Sequence, residues 1–209
     1  MINNVIRPSY ENIVKKYAEY ASVFSKIDEL ISSNTNAIIA IEGGSASGKT
    51  TLASILHEAY DCNVFHADDF FLRPEQRTRE RLEEIGGNLD RERFFEEIIT
   101  PIKEQKEVCY RRFDCSRQTL CEPITVSPKR LTIVEGAYSM HPFFGKYYDY
   151  SIFLDIDSEQ QKKRILKRNS LPLAARFFDE WIPLENAYFE ATEIKNRADM
   201  IVSITSKKR

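Results

Sequence analysis

Gly43-Gly44-Ser45-Ala46-Ser47-Gly48-Lys49-Thr50 is the stretch on which the reading of this chain turns. It follows an apolar run, Ala37-Ile38-Ile39-Ala40-Ile41, and precedes a segment with Leu52, Ile55 and Leu56 in helical register. The spacing G-x-x-x-x-G-K-[ST], set between a strand and a helix, describes a phosphate-binding loop. Gly43 and Gly48 permit backbone angles and a close approach that a side chain would block. Successive N–H groups, including those of Gly44, Ser45, Ala46, Ser47 and Thr51, can then point inward as an anion nest reinforced by the start of the helix. Lys49 supplies a point charge for the β- and γ-phosphates, and the Thr50 hydroxyl suits Mg²⁺. ATP with Mg²⁺ is therefore the expected ligand.

Working outward, four more short apolar runs each end where polar residues begin. Asn63-Val64-Phe65-His66 leads to Asp68-Asp69, and Leu131-Thr132-Ile133-Val134 leads to Glu135-Gly136. Ser151-Ile152-Phe153-Leu154 leads to Asp155, and Met200-Ile201-Val202-Ser203-Ile204 lies near the end. Short strands alternating with helical stretches predict an α/β chain with a five-stranded parallel sheet and helices on both faces, the P-loop NTPase fold. Ligands of such sheets bind at the carboxyl ends of the strands, so these polar groups should converge on one edge.

Helical patterns cover residues 47–59, 90–107, 158–169 and 173–198. Pro101 should kink or end the second, and Pro183 should interrupt the last. The third is basic, with Lys162, Lys163, Arg164, Lys167 and Arg168. Residues 8–33 open with Pro8-Ser9 and place Ile13, Tyr17, Tyr20, Phe24, Ile27 and Ile31 three or four apart. That stripe predicts one amphipathic helix with Ser9 as a cap. Ser32-Ser33-Asn34-Thr35-Asn36 reads as a loop. Residues 1–36 thus form a helical extension, and residues 37–209 form the nucleotide-binding domain.

At 209 residues the chain is long enough for one two-sided core. A formal net charge of -2 gives no footprint for nucleic acid. Lys207-Lys208-Arg209 reads as a solvated terminus. No apolar run approaches the ~20 residues of a membrane span. Residues 1–4 lack a basic segment followed by an apolar stretch, so no signal peptide is expected. Cys62, Cys109, Cys115 and Cys121 lack the paired spacing of a zinc site. Reduced thiols in a cytoplasmic protein are the expectation.

A phosphate-binding loop alone denotes nucleotide binding. No N-K-x-D tetrapeptide for guanine and no L-S-G-G-Q transporter signature occurs. Instead there are acids suited to activating a hydroxyl. Asp68 could accept a proton from an attacking hydroxyl or hold metal-bound water. Adjacent acids after a strand also serve as turn residues or helix caps. Glu135 fits a direct or water-mediated Mg²⁺ contact, or else a solvated loop position.

Taken in order, GGSASGKTTLA, HADDFF, GGNLDRERF, YRRFDCSR, TIVEGAYS, FLDIDSEQQKKRILKRN and RADMIV resemble the uridine kinase and phosphoribulokinase superfamily. The resemblance spans about residues 37–204, and the DDFF segment is also similar to nicotinamide riboside kinases. It implies an ATP- and Mg²⁺-dependent kinase of a small-molecule hydroxyl, in the first place a nucleoside. It implies that Asp68 is the general base, that Glu135 lies near the metal, and that Asp90 grips the ribose hydroxyls of the acceptor. Arg164 and Arg168 fall on the basic helix leading into a lid over the phosphates, a region of about residues 162–185. Arg176 is a looser match, and a solvated face is the other reading of this helix. Tyr110 and Arg117 fall in the acceptor pocket, although an aromatic beside a strand is more often core.

The departures fall in that pocket too. Cys115 stands where uridine kinases carry a base-reading His, and Arg112 stands where they carry a Phe. The segment Trp181-Ile182-Pro183-Leu184-Glu185 also differs from the usual lid. A kinase of another hydroxyl, such as a vitamin precursor or sugar, is the neighbouring reading. An ATP-binding regulator without its own acceptor is the reading from another class. The N-terminal helix could pair two copies as a homodimer, although packing on its own domain is the simpler expectation.

Overall fold

The computed structural model describes residues 5–204. The expectations for residues 1–4 and for the basic tail at 207–209 lie outside the described residues. In chain order, α1 (Tyr10–Lys16) and α2 (Ala21–Ser33) precede β1 (Ala37–Gly43), α3 (Lys49–Ala59) and β2 (Cys62–His66). Three short helices follow: α4 (Arg79–Glu83), α5 (Arg91–Phe94) and α6 (Thr100–Lys103). Next come four short strands: β3 (Val108–Tyr110), β4 (Phe113–Asp114), β5 (Thr119–Leu120) and β6 (Ile124–Val126). The chain then runs through β7 (Leu131–Glu135), β8 (Tyr150–Ile156), α7 (Ser158–Arg168), α8 (Leu171–Arg176), α9 (Ile182–Thr192), α10 (Ile194–Arg197) and β9 (Met200–Ile204).

The five long strands form one parallel sheet in the order β2-β7-β1-β8-β9. β1 and β7 are buried along their whole length, as expected of strands flanked on both edges and covered on both faces. Side chains alternate between two cores. Ile39 and Ile41 pack with Phe24 and Ile27 of α2 and Leu52 and Leu56 of α3. Ile38 and Ala40 face Phe94, Ile98, Tyr188 and Ile194 on the other side. Cutting a side chain such as Phe24 or Leu56 down to Ala in such a core costs about 2–5 kcal/mol.

Four sequence expectations are corrected. The 8–33 pattern is two helices, because the chain turns at Tyr17 (φ -116°, ψ 48°) through a 3₁₀ turn at Ala18–Tyr20. Ser9 does not cap α1; its hydroxyl donates to Glu58 O at 2.7 Å, tying α1 to the end of α3. The Tyr10 and Tyr60 hydroxyls both bond Asp28, so the extension is laced to its own domain. Pro101 and Pro183 do not end their helices. Each sits two residues after a π-helical turn, Phe95–Ile99 and Phe177–Trp181, and helix continues beyond both. The wider turn shifts the carbonyl register, which relieves the clash and missing donor that proline brings to a plain α-helix.

The antiparallel pairs β3–β6 and β4–β5 lie outside the main sheet and were not anticipated. At two or three residues each, they are too short to show a period.

Candidate active site

The loop after β1 has the strained geometry its glycines foretold. Gly43 has φ +143°, and a Cβ there would lie 2.5 Å from Leu154 O of β8. Gly48 has φ +106° and stands as the N-cap of α3 with no side-chain cap, leaving the first amides open to an anion. Ala46 also takes a left-handed angle, φ 62°. Lys49 is 9% exposed, and its ammonium donates to Gly43 O at 2.8 Å and Gly44 O at 3.1 Å. Thr50 and Thr51 occupy the exposed first turn of α3.

The strand register then brings the acids in. β2 and β1 flank β7 so that His66 and Ile41 both align with Glu135. Glu135 is 3% exposed, in the last position of β7, which rules out the solvated-loop alternative. Its Oε1 accepts from the Thr50 hydroxyl at 2.9 Å and lies 2.5 Å from His66 Nδ1. The Glu135 carboxylate raises the His66 pKa against its burial.

Asp68 follows in a 3₁₀ turn, Ala67–Phe70, and caps nothing. It is exposed to water on one side but crowded by protein elsewhere. That desolvation raises its carboxyl above the usual aspartate value; Lys49 pulls it down, Glu135 pushes it up, and His66 and Arg168 pull it down again.

Of the basic helix, Lys162, Lys163, Lys167 and Arg168 are exposed, as a solvated face would be. Arg164 differs: its Nη1 donates to Ala46 O and Ser47 O at 3.0 and 3.1 Å. Arg168 lies over the Phe177 ring at 5.2 Å. Arg176 is exposed, paired with Glu180 at 3.1 Å and stacked over Trp181.

On the far side of Asp68, Asp90 is 2% exposed at the start of α5. Its Oδ1 accepts from Arg93 N at 3.3 Å, while Oδ2 has no hydrogen bond and lies 3.9 Å from Arg73 Nε. Asp69 Oδ2 and Arg93 Nε and Nη1 are likewise buried without hydrogen bonds. Tyr110 belongs to the core, stacked on Phe70 at 5.9 Å and edge-on to Phe65 at 5.8 Å. Burial, then the Asp69 charge, push its hydroxyl pKa up. Arg117 is exposed on the β4–β5 turn, which Asp114 closes by accepting from Ser116 N, Ser116 Oγ and Arg117 N. Cys115, on the same turn, is within electrostatic reach of Arg77 and Asp68.

No protein-family model matches the chain. Uridine kinases of two Staphylococcus epidermidis strains are each 26% identical to it over 187 residues, covering 81% of this chain and 88% of theirs. Among solved structures, a possible uridine kinase from Bacillus stearothermophilus superposes with a TM-score of 0.69 at 21% identity, covering 90% of this chain and 98% of that one. A protein provisionally named a fructose transport system kinase, from Silicibacter sp. TM1040, gives 0.65 at 23% identity, over 88% and 98%. The likeness to uridine kinase-like P-loop kinases holds in sequence and in fold.

Within this uridine kinase-like frame, sequence reading missed five residues at the site. Glu42 is the last residue but one of β1 and is 0% exposed. It accepts from the N–H groups of Gly43, Tyr138 and Met140, each at 3.1 Å, and from the Tyr188 hydroxyl at 3.2 Å. Burial still pushes its carboxyl up to about 7. An acid closing an apolar strand was the available signal, but the adjoining glycines drew the reading. His66 was named only as a strand end. Gln161, Glu185 and Tyr188 lie on helices whose register alone does not reveal that they reach the loop. Among the described residues, no helix is long and apolar enough to cross a membrane.

Proposed function

We propose that this chain is an ATP-dependent kinase that transfers the γ-phosphate to a hydroxyl of a small molecule, in the first place a nucleoside. The observation that carries the reading is the 2.9 Å bond between the Thr50 hydroxyl and the Glu135 carboxylate, at the foot of a loop whose lysine is buried. Two hard oxygen donors at that spot fit Mg²⁺, which is commonly held by one or two carboxylates together with substrate phosphates and water. Among the described residues, no group of three or more His, Cys, Asp or Glu side chains forms a metal cage by itself, as this mode of binding allows. When bound, Mg²⁺ neutralises charge on the β- and γ-oxygens. Thr50 and Glu135 would hold it, with Asp68 reaching it through water.

Residues 43–51 cradle the phosphates of ATP. Lys49 moves its ammonium from the loop carbonyls to the phosphate oxygens, and Arg164, tethered at Nη1, adds positive charge beside them. Asp68 takes the proton of the acceptor hydroxyl; its raised carboxyl makes it a stronger base than an ordinary aspartate. Asp90 Oδ2, buried and without a hydrogen bond, accepts from the acceptor's hydroxyls. Tyr110 supports that pocket from the core, and Arg117 lies at its rim. The lid at about residues 162–185, which includes Arg168, closes on the phosphates and excludes water.

Cys115 and Arg112, replacing the usual His and Phe, favour a second reading in which the acceptor is not a nucleoside but a vitamin precursor or sugar. One experiment tests both. ADP release with Mg·ATP is followed against nucleosides, deoxynucleosides, nicotinamide riboside, pantothenate and simple sugars, and product mass is checked for each hit. A phosphorylated nucleoside supports the first reading, and a phosphorylated non-nucleoside supports the second. Silence across the panel with ATP still bound overturns both acceptor assignments.

A further inference from the structure

Helices α7 and α9, which carry the two ends of the lid region, converge on Ser45 of the phosphate loop. From α7, Gln161 Nε2 donates to Ser45 O at 2.9 Å, and Arg164 Nη1 holds Ala46 O and Ser47 O. From α9, Glu185 accepts the Ser45 N–H at 2.8 Å on Oε2 and the Ser45 hydroxyl at 2.6 Å on Oε1. All three polar groups of Ser45 are thus bonded to lid-flanking helices. One turn beyond Glu185, Tyr188 bonds Glu42, which itself holds the Gly43 N–H. The contact is close: a Cβ added at Gly44 would meet Gln161 Nε2 at 3.1 Å and Glu185 Oε2 at 3.7 Å. Helix continues from α8 through the π turn into α9 without a break at Pro183, so lid movement reaches Glu185 along one lever.

Glu185 is only 6% exposed, and burial raises its carboxyl against the pull of Lys49 and the two Ser45 donors. Asp68 also acts on it, which sets it at the reacting end of the cleft. A buried acid is a costly choice for mere packing. What it alone provides is two acceptor oxygens for two donors on one residue; a glutamine offers one.

We propose that Glu185 is a positioning residue for phosphoryl transfer, linking lid position to the shape of the phosphate loop through Ser45. The inference rests on the kinase reading above. Without Glu185 the nest amides, Lys49 and Thr50 still bind ATP, but the lid no longer registers on the loop and water reaches the γ-phosphate.

The test compares wild type, Glu185→Gln, Glu185→Ala, Ser45→Ala and the Glu185→Gln/Ser45→Ala double variant as full-length proteins. Affinity for a fluorescent ATP analogue, ADP release with and without acceptor, and phosphorylated product are measured in parallel. In the Glu185 variants nucleotide affinity should stay within about 3-fold, while in all variants product formation falls by about 10–100-fold, as a small misplacement of reacting groups would cause. ADP released per product should rise above one. The double variant should be no worse than the worse single variant, because both act on the Glu185–Ser45 pairing.

Product formation within about 3-fold of wild type, affinity falling in step with turnover, or additive losses would each overturn the proposal. If Glu185→Ala fails to fold, Glu185→Gln and Ser45→Ala still decide. A wild type that binds no ATP sinks the kinase reading itself. A wild type that binds ATP but finds no acceptor leaves the acceptor-free ADP release to decide: an unchanged rate in Glu185→Gln overturns this inference.

Discussion

The two ends of the cleft are built differently. The phosphate end is a run of eight residues whose own backbone makes the site, and lid helices satisfy the groups left over. The proposed acceptor end gathers Asp69 from the turn after β2 and Asp90 and Arg93 from the start of α5. Of five buried side-chain atoms without a hydrogen bond among the described residues, four belong to those three residues, and Ser47 Oγ is the fifth. A buried hydrogen bond left unmade costs about 1–3 kcal/mol, which ion pairs of Arg93 Nε with Glu97 at 3.4 Å and of Asp90 Oδ2 with Arg73 at 3.9 Å partly offset. A backbone-made site has its shape before its ligand arrives, whereas a side-chain site depends more on ligand groups to complete it. Losses at the phosphate end should therefore strike every acceptor alike, and losses at the acceptor end should discriminate between them.

The largest effect should come from Lys49→Ala. The ammonium is buried on the loop, bonded to Gly43 O and Gly44 O. Transfer should fall by about 10³-fold or more for every acceptor, with weaker ATP binding, in steady-state assays. A loss confined to one acceptor would break the comparison.

Asp68→Asn should follow, lowering transfer by about 10²–10³-fold while an ATP analogue still binds nearly as well. The pH profile is a second check on the same residue. Transfer needs the ionised carboxyl, and desolvation raises its pKa above 3.8. Turnover should therefore fall as pH drops through that raised value, at a higher pH than an ordinary aspartate would give. An acid limb at or below the ordinary value would remove Asp68 from the role of base.

The same contrast explains what could be read before the structure was known. The parallel sheet was legible because each strand is a continuous apolar run, and the loop was legible because its chemistry fixes glycine spacing. Glu135 was placed correctly at a strand end, but its partner His66 emerges only from the register of β2 on β7. The acceptor side was harder. β3 to β6 are two or three residues long, and their pairing rests on contacts distant in sequence. Pro101 and Pro183 misled because a proline signals lost α-helical bonding, while the chain compensated with π turns. Glu185 was visible only as a departure from the usual lid, since its reach to Ser45 spans 140 residues of chain.

At the acceptor end, Asp90→Asn sharpens the comparison. The substitution keeps the shape and the Oδ1 acceptor for Arg93 N but replaces Oδ2, which has no hydrogen bond, with a donor amide. The KM for acceptors with vicinal hydroxyls should rise about 10–100-fold, equal to losing one or two buried hydrogen bonds. The KM for ATP should not move. An equal loss for acceptors without a diol would mean that Asp90 shapes the pocket and does not read the substrate.

The smallest effect should come from Arg117→Ala. Its guanidinium is on the exposed β4–β5 turn, where only its backbone N–H is committed, to Asp114. A solvated rim charge contributes about 0–1 kcal/mol, so the acceptor KM should change less than about 5-fold. That remaining effect should shrink further as salt is added, because screening acts on exposed charges first. A KM change as large as that of Asp90→Asn, and strongly salt-dependent, would mean that the acceptor extends out of the buried pocket onto the turn. It would then have to carry a negative charge to meet Arg117, and a neutral nucleoside could not. Kinetics at two salt concentrations therefore decide whether the unfinished end of the cleft is completed by hydroxyls alone or by hydroxyls and an anion.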